Sequence, residues 1–228
     1  MAKKVNNYIV PQHVGVIMDG NRRWAKRRLL PASSGHKFGL DRMIGLCEKA
    51  KACGVKYLTA YALSTENLNR TAEELDKLFS LIRDNFNSCI ERLIKGGAAV
   101  KVIGNLSLLP ADVREIVEEG VKRSPEEADF TFIMALCYGG REEIVNAANR
   151  ATGVVTEKSF SSLLYTGGVP DPEFIIRTGG EKRLSNFLLW QSAYAELYFT
   201  DVLFPDFSDE EFEAALEDYS KRARHFGK

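Results

Sequence analysis

Short apolar segments alternate with longer amphipathic segments along the whole chain. The long segments repeat apolar residues at spacings of three and four, as helices do, and the short ones are rich in Val, Ile, Phe and Tyr. This alternation is typical of a parallel sheet covered by helices. It predicts a single α/β domain over residues 1–228, with a flexible N-terminus over residues 1–12 and a six-stranded, mostly parallel sheet. The predicted strands are residues 13–18, 55–63, 99–103, 130–137, 173–176 and 196–199.

The longest predicted helix follows Thr71, a suitable N-cap with Glu74 three residues later, and ends at Gly96 and Gly97. Its apolar positions form one broad stripe. The stripe indicates a face that is either packed in the core or lines a cavity. It consists of Leu75, Leu78, Phe79, Ile82, Phe86, Ile90 and Leu93.

Composition narrows the functional classes. The 228 residues are 45% hydrophobic, and 31 basic side chains balance 31 acidic ones. Without a net positive field, non-specific binding to nucleic acid is not expected. Four cysteines without a CxxC spacing argue against a zinc site and indicate buried thiols in a reducing cytosol. No signal peptide and no apolar run of about 20 residues is visible, so we expect a cytoplasmic protein.

The segment HVGVIMDGNRRWAKRR, residues 13–28, leads from an apolar strand into a turn and then into a basic helix. Asp19 would lie at the carboxyl end of the strand, where α/β sheets bind ligands and a carboxylate can hold a divalent cation. Gly20 permits close backbone approach, and Arg22 and Arg23 add positive charge. The segment therefore predicts a phosphate and metal pocket. The alternative is an ordinary turn followed by a solvated helix.

Four further polar clusters fall at strand ends or the turns after them. They are residues 33–36, 64–70, 137–143 and 177–185. Repeated glycine, arginine and hydroxyl groups favour phosphate recognition, and two or three arginines could hold a diphosphate at micromolar levels. The common motifs GxxxxGK[ST] and GxSxG are absent, and no GxGxxG follows a strand, which disfavours ordinary nucleotide hydrolysis and acyl transfer.

Five motifs resemble those of the cis-prenyltransferases, the undecaprenyl diphosphate synthase family. They are MDGNRRWA, GHKFG, STENLNR, YGGREEI and RTGGEKRLSNFLLWQSAYAELYFTDVLFPDF, and the resemblance runs from His13 to Gly227. It implies a homodimeric, Mg²⁺-dependent enzyme that condenses an allylic diphosphate, such as farnesyl diphosphate, with isopentenyl diphosphate units. Undecaprenyl diphosphate, a cell wall lipid carrier, is the expected product. So lipophilic a product implies an apolar tunnel and transient contact with the inner face of the membrane.

The resemblance also assigns roles to residues of this chain. Asp19 and Glu196 correspond to metal-associated carboxylates, and Asn67 to a catalytic position that we interpret as an orienting amide. The predicted binding residues are Gly20, Asn21, Arg22, Arg23 and His36 for the allylic diphosphate, Arg177, Arg183 and Ser185 for isopentenyl diphosphate, and Trp24, Ser64, Thr65, Glu66, Arg70 and Leu184 around them. Trp24 fits simple packing equally well, and Glu66 fits a turn or helix cap.

The basic C-terminus, with Arg222, Arg224 and His225, resembles the family's Arg-rich end that approaches the site or the dimer partner. A solvated helix end that complements the helix dipole is the alternative. For the growing product, residues 58, 60 and 62 share one face of the second strand. Leu58, Ala60 and Ala62 would leave room for a tunnel against the long helix.

The chain departs from the family pattern at several positions. RLLPASSGH stands where the family's motif reads roughly RGLPRxxGH, so Ala32 replaces a diphosphate-binding arginine. Leu68, Cys137 and Lys182 replace the usual Trp, Asn and His. These changes leave open head-to-middle coupling of allylic units. The short segment between Arg150 and Asp171 leaves open a short- or medium-chain product. A non-catalytic partner subunit of the same fold is a further alternative, against which the retained Asp19, Arg177, Arg183 and Glu196 argue.

We predict that Ala32→Arg lowers the apparent KM for the allylic substrate, because one charge-assisted contact contributes about 1.5 to 3 kcal/mol. Steady-state kinetics with a fixed isopentenyl diphosphate concentration measure it. An unchanged or higher KM would contradict the loss of a diphosphate contact at position 32.

Overall fold

The computed structural model describes residues 4–5 and 8–222. Its eight strands form a two-stranded antiparallel sheet, β1 (Lys4–Val5) with β2 (Tyr8–Ile9), and one six-stranded sheet. The large sheet has the order β5–β6–β4–β3–β7–β8, and every neighbouring pair in it is parallel. The predicted α/β class and six-stranded sheet are therefore confirmed. Its strands are β3 (His13–Ile17), β4 (Tyr57–Tyr61), β5 (Ala98–Ile103), β6 (Phe130–Ala135), β7 (Phe174–Arg177) and β8 (Glu196–Phe199).

The described part of the chain has seven α-helices, of which six lie in connections between strands and the seventh follows β8. They are α1 (Asn21–Arg27), α2 (Ala32–Ala52), α3 (Ala72–Lys95), α4 (Ala111–Lys122), α5 (Gly140–Arg150), α6 (Glu157–Leu163) and α7 (Asp209–Lys221). Short 3-10 helices cover Thr65–Asn69, Leu106–Leu108 and Phe204–Asp206.

The long helix α3 begins as its capping residues predict. The Thr71 side chain accepts a hydrogen bond of 3.3 Å from the Glu74 backbone N–H. Both interpretations of its apolar stripe hold, each for one half of the helix. Ile90 and Leu93, near the C-terminus, are 0% and 3% exposed in the core, whereas Leu78 is only partly buried and lines a cavity.

Alternate residues of the strands build two separate apolar layers. On one face, Val14, Leu58, Phe132 and Phe174 lie side by side in the parallel register and pack with α2, α3, α4 and α7. On the other face, the layer that includes Ile175 packs against the segment around Phe187 and Leu188. The sheet is thus covered on both sides, which explains why its central strands read as continuous apolar runs.

Strand β3 is the point where the chain changes direction across the sheet. The strand that follows it, β4, lies on one side, and the later strand β7 lies on the other. In sheets of this kind, ligands bind beyond the carboxyl ends of the strands at such a point. The fold therefore places residues 18–21 and 177–185 at the expected ligand crevice.

Residues 9 and 10, within the stretch 1–12 predicted to be flexible, pack onto the domain. Val10 is 1% exposed within the main core, and the Ile9 backbone N–H donates to Ser220 Oγ at 2.9 Å. Burial of Val10 and the hydrogen bond of Ile9 therefore fix this part of the chain onto the domain.

The four cysteines are buried, as predicted, and no disulfide joins them in the described part of the chain. Among the described helices, none combines the length and the apolar character that crossing a membrane requires.

His13, at the start of β3, is 1% exposed and neutral in the folded chain. Its Nδ1 lies 2.6 Å from the Pro170 carbonyl oxygen, which can only accept, so Nδ1 donates and Nε2 accepts from Thr59 Oγ1 at 2.8 Å. Burial lowers the pKa of His13 to about 4, outweighing the raising effects of the Pro170 hydrogen bond and the Glu173 charge.

This buried histidine predicts a pH-dependent loss of stability. Below pH 6.5 the unfolded chain protonates His13, whereas the folded chain does so only near pH 4, so the free energy of unfolding falls across that window. This difference in pKa between the unfolded and the folded chain corresponds to a loss of about 3 kcal/mol in the free energy of unfolding. Urea denaturation of the wild type and His13→Gln should give curves that diverge as the pH falls. Parallel curves would contradict the assignment.

Candidate active site

A cavity of about 840 Å³ opens at the carboxyl ends of the central strands. One end is polar and the other is apolar, lined by side chains from α2, α3 and β6 that include Met43, Ile82, Phe86 and Met134. Most of the predicted site residues line the polar end. They are Asp19, Gly20, Asn21, Arg22, Arg23, His36, Ser64, Glu66, Asn67, Arg70, Arg177 and Ser185.

Arg177 and Asp19 form the centre of the polar end. Arg177 is 4% exposed at the end of β7, and its Nη2 lies 3.0 Å from Asp19 Oδ2, just beyond β3. Its Nη1 donates to Ser185 Oγ at 2.7 Å and to the Arg183 carbonyl oxygen. Arg23 Nη2 lies 3.1 Å from the other Asp19 oxygen. The carboxylate is therefore held between two guanidinium groups at the cavity wall.

Glycines allow the loops around Asp19 to approach one another. Gly20 has φ of 107°, and a Cβ there would lie 2.8 Å from Leu203 Cδ2. On α2, a Cβ at Gly35 or Gly39 would collide with Asn21. The glycines of the GHKFG motif thus let α2 pack directly on the start of α1, which brings His36 to the cavity.

Three basic groups, Arg22, His36 and Arg70, lie close to one another at the cavity. Burial lowers the pKa of His36, and the charges of Arg70 and Arg22 lower it further. Burial and the Arg22 charge also lower the pKa of Arg70. Arg22 has one acidic partner, Glu74, at 2.7 Å. This repulsion would be relieved by a bound anion, so the electrostatics of this part of the cavity favour a phosphate group.

The turn after β4 supplies a hydroxyl, a carboxylate and an amide. Ser64 Oγ accepts from the Asn67 backbone N–H at 3.2 Å, and Asn67 Oδ1 accepts in return from the Ser64 N–H at 3.4 Å. Burial alone would raise the pKa of Glu66, but hydrogen bonds from its own backbone N–H, Asn186, Ser64 and Thr65 together lower it. The hydrogen bond from the Ser64 N–H to Asn67 Oδ1 holds the Asn67 side chain in one orientation, which suits an amide that orients the reacting groups.

Asn186 is a site residue that sequence reasoning missed. Its Nδ2 donates to Glu66 Oε1 at 2.7 Å, its Oδ1 accepts from the Arg141 backbone N–H at 2.9 Å, and it lines the cavity. The only signal was its place directly after Ser185 in the longest motif.

Four predicted binding residues do not line the cavity. Trp24 is 6% exposed, and its Nε1 donates to Asp206 Oδ1 at 2.7 Å, which supports the packing alternative. Thr65 bonds to Glu66 at 3.3 Å, and Leu184 packs in the second apolar layer. Arg183 extends into solvent and pairs with Glu181. Only its carbonyl oxygen contacts Arg177.

Glu196 lies at the opposite edge of the sheet from Asp19. It pairs with Phe174, which pairs with Val14, so Asp19 is five residues farther along, or about 16 Å in the strand direction. Its carboxylate contacts Arg222 Nη1 at 3.0 Å. Within one chain, the two predicted metal carboxylates are therefore far apart. Glu196 is the first residue of β8 and lies at the amino end of the sheet, whereas Asp19 follows β3 and lies at the carboxyl end. The predicted Arg224 and His225 lie outside the described residues.

Comparison with known proteins identifies the family. A family model described as "Putative undecaprenyl diphosphate synthase" matches residues 17–227. The chain belongs to the cis-prenyltransferase family. This cis-prenyltransferase is 44% identical to an isoprenyl transferase of Aquifex pyrophilus over 96% of each chain. It is 42% identical to a tritrans,polycis-undecaprenyl-diphosphate synthase (geranylgeranyl-diphosphate specific) of Methanopyrus kandleri, covering 100% of this chain and 89% of the relative.

Solved structures agree with this membership. The crystal structure of lavandulyl diphosphate synthase from Lavandula x intermedia in complex with dimethylallyl diphosphate has a TM-score of 0.89 and 35% identity, covering 96% of this chain and 99% of that one. A structure described as "a probable undecaprenyl diphosphate synthase" from Campylobacter jejuni has a TM-score of 0.82 and 32% identity over the same shares. The resemblance inferred from the motifs is confirmed.

The donor set of this cis-prenyltransferase fits Mg²⁺ only when a substrate adds oxygen ligands. Within residues 4–5 and 8–222, no three His, Cys, Asp or Glu side chains gather where they could hold a metal ion. Mg²⁺ usually binds one or two carboxylates together with substrate phosphates. The Asp19 side chain is 31% exposed beside the cavity and can serve as such a carboxylate.

The apolar end of the cavity lies partly where the strand pattern predicted the tunnel. Ala62 lines the cavity, next to the ends of β3 and β6. Leu58 and Ala60 are 0% and 1% exposed and belong to the core, so for them the tunnel prediction was wrong. They lie within β4, in the apolar layer where α2 contacts the strand.

We predict that Ala62→Leu shortens the prenyl product, because the larger side chain enters the apolar end of the cavity. Product lengths can be compared by mass spectrometry with those of Ala148→Leu, a matched change on the exposed face of α5. The same product distribution for Ala62→Leu and wild type would exclude this path for the growing chain.

Proposed function

We propose that this enzyme condenses an allylic diphosphate with successive isopentenyl diphosphate units to give a Z-polyprenyl diphosphate. The observation that carries the proposal is the two-sided cavity, basic where the strands end and apolar beneath α3. An anionic head on a hydrocarbon tail matches both ends at once. A nucleotide or a sugar phosphate would leave the apolar end unfilled.

The two diphosphates would divide the polar end between them. Arg22, Arg23 and His36 suit the allylic diphosphate. The Arg22 charge lowers the pKa of His36, and a bound anion would relieve that repulsion. Arg177 and Ser185, fixed by their hydrogen bond of 2.7 Å, suit isopentenyl diphosphate. Turning Arg183 inward from solvent would add a further cation there. Each charge-assisted hydrogen bond contributes about 1.5 to 3 kcal/mol.

The reaction breaks the bond between the allylic carbon and its diphosphate oxygen. The double bond of isopentenyl diphosphate supplies the electron pair for the new carbon–carbon bond, and a proton then leaves the neighbouring carbon to form the cis double bond. Diphosphate departs with the electron pair of the broken bond. The guanidinium groups around Asp19 would stabilise that developing charge, and Asn67 would orient the reacting groups.

Mg²⁺ is the cofactor that we propose. Asp19 would hold it together with diphosphate oxygens, and it would supply charge neutralisation for the leaving group. Glu196 stays a prediction as a metal-associated residue, because in one chain it is occupied by Arg222 at the far edge of the sheet.

Undecaprenyl diphosphate is the product that we propose, with farnesyl or geranylgeranyl diphosphate as the allylic substrate. The names of the Methanopyrus kandleri and Campylobacter jejuni proteins support this length. A second candidate, head-to-middle coupling of allylic units, is supported by the TM-score of 0.89 to lavandulyl diphosphate synthase. The homodimer and the transient membrane contact also belong to the proposal.

One set of incubations tests these functions. Purified protein with Mg²⁺ receives dimethylallyl, farnesyl or geranylgeranyl diphosphate, with and without isopentenyl diphosphate, and products are identified by mass spectrometry. Elongation that requires isopentenyl diphosphate supports the main proposal. Product without it supports head-to-middle coupling, and no turnover with any substrate supports the partner subunit.

We predict that Asp19→Asn lowers kcat about 10²- to 10³-fold, because a neutral amide holds Mg²⁺ less well than a carboxylate and the leaving diphosphate then loses the charge neutralisation that the metal would supply. The control is Asp129→Asn, which removes a carboxylate that is 94% exposed. Wild-type kcat in Asp19→Asn would rule out the assigned role.

A further inference from the structure

The turn between α1 and α2 exposes several large apolar side chains. Leu29 is 95% exposed, Leu30 40% and Phe38 50%. Phe38 packs against the buried Trp24 with the rings tilted by 45° and their centroids 4.8 Å apart, and the Arg28 guanidinium lies over the same Trp24 ring at 4.1 Å. The turn is therefore held in place by the packing of Phe38 and Arg28 on the buried Trp24.

The backbone at Leu29 is one that normally requires glycine. The Leu29 N–H donates to the Lys26 carbonyl oxygen at 3.1 Å, and the Leu30 N–H to the Ala25 carbonyl oxygen at 2.9 Å. These two bonds form a Schellman motif, whose left-handed position is usually glycine. Leu29 occupies it with φ of 57°. The family motif RGLPR has glycine at this position. Because leucine is unfavourable at a positive φ, Leu29 is held in a strained conformation, and its side chain is exposed to solvent.

Cations surround these apolar side chains. Residues 21–40 contain six Lys or Arg residues and no Asp or Glu, in a chain whose net charge is zero. Three of the six are paired, since Arg22, Arg23 and Arg28 contact Glu74, Asp19 and Asp206. The other three form no ion pair with any residue in the described part of the chain. They are Lys26, Arg27 and Lys37.

We propose that this basic apolar surface, formed by Lys26, Arg27, Leu29, Leu30, Lys37 and Phe38, docks on an anionic lipid bilayer. Exposed leucine and phenylalanine inserted among headgroups, with unpaired cations beside them, are the usual elements of interfacial binding. The three unpaired cations make the surface complementary in charge to anionic headgroups. Its uncompensated positive charge also opposes pairing with a second copy.

Docking in this orientation would bring the cavity to the headgroups. Arg22 and Arg23 on α1 and His36 on α2 line the cavity, and the same two helices carry the docking surface. A lipophilic product could then pass from cavity to bilayer over a short distance. This last step rests on the proposed function, whereas vesicle binding does not.

Replacing Leu29 by Gly separates membrane binding from folding. The full chain is sedimented with vesicles of equal parts phosphatidylglycerol and phosphatidylcholine, and the bound fraction is measured. We expect Leu29→Gly to weaken binding about tenfold. Its Tm should be unchanged or higher, because glycine relieves the left-handed strain. The matched control, Val154→Gly, removes a side chain that is 94% exposed elsewhere and should bind like the wild type.

A second variant tests the cations. Changing Lys26, Arg27 and Lys37 together to Gln should weaken vesicle binding about a hundredfold, at roughly fivefold per charge. The same number of exposed lysines changed at Lys95, Lys101 and Lys158 leaves the net charge equal and should have a much smaller effect. Elongation of a water-soluble allylic diphosphate should stay at the wild-type rate in the Lys26, Arg27 and Lys37 variant.

The outcomes separate the possibilities. Equal binding by wild type and Leu29→Gly, or equal losses in the two triple variants, overturns the proposal. So does a wild type that ignores vesicles but changes oligomeric state with Leu29→Gly in sedimentation velocity, since the surface would then contact protein. Specific vesicle binding by a protein without prenyltransferase activity would support the docking surface and refute the proposed function alone.

Discussion

The contact between Arg177 and Asp19 is the interaction on which the site depends. A guanidinium group that is 4% exposed needs partners for its charge and its hydrogens, and Asp19, Ser185 and the Arg183 carbonyl provide them. These partners come from the ends of β3 and β7 and from the loop after β7. The contact therefore ties the two central strands to that loop, and it presents one carboxylate and one cation to the cavity together.

The cavity owes its two-sided character to the length of α3. A single apolar stripe extends beyond the sheet, so its C-terminal part fills the core while its N-terminal part faces open space. The strand ends supply the polar wall because backbone groups and loop side chains emerge there. A site for an amphiphile thus arises from two ordinary features of the fold that meet at the topological switch point.

Helices α1 and α2 contribute residues both to the cavity and to the exposed basic apolar surface. The glycines at positions 35 and 39 bring the helices into close contact and direct His36 to the cavity. The turn at Leu29 instead departs from local backbone preference, where glycine would be the easier residue. Local preference and tertiary structure usually agree, and such disagreements are expected where a residue serves function.

The sequence by itself determined the elements, their parallel arrangement, the family and the placement of Asp19 and Arg177 in one site, because periodicity, capping and strand-end chemistry are local properties. Only the tertiary structure decided how deeply each side chain is buried and which neighbours it faces. Glu196 starts a strand and so lies at the amino edge of the sheet, Trp24 turns toward Asp206, and Asn186 joins the cavity wall. A period of two or of 3.6 residues specifies a face of an element. Whether core, cavity or solvent covers that face depends on which distant segments pack there.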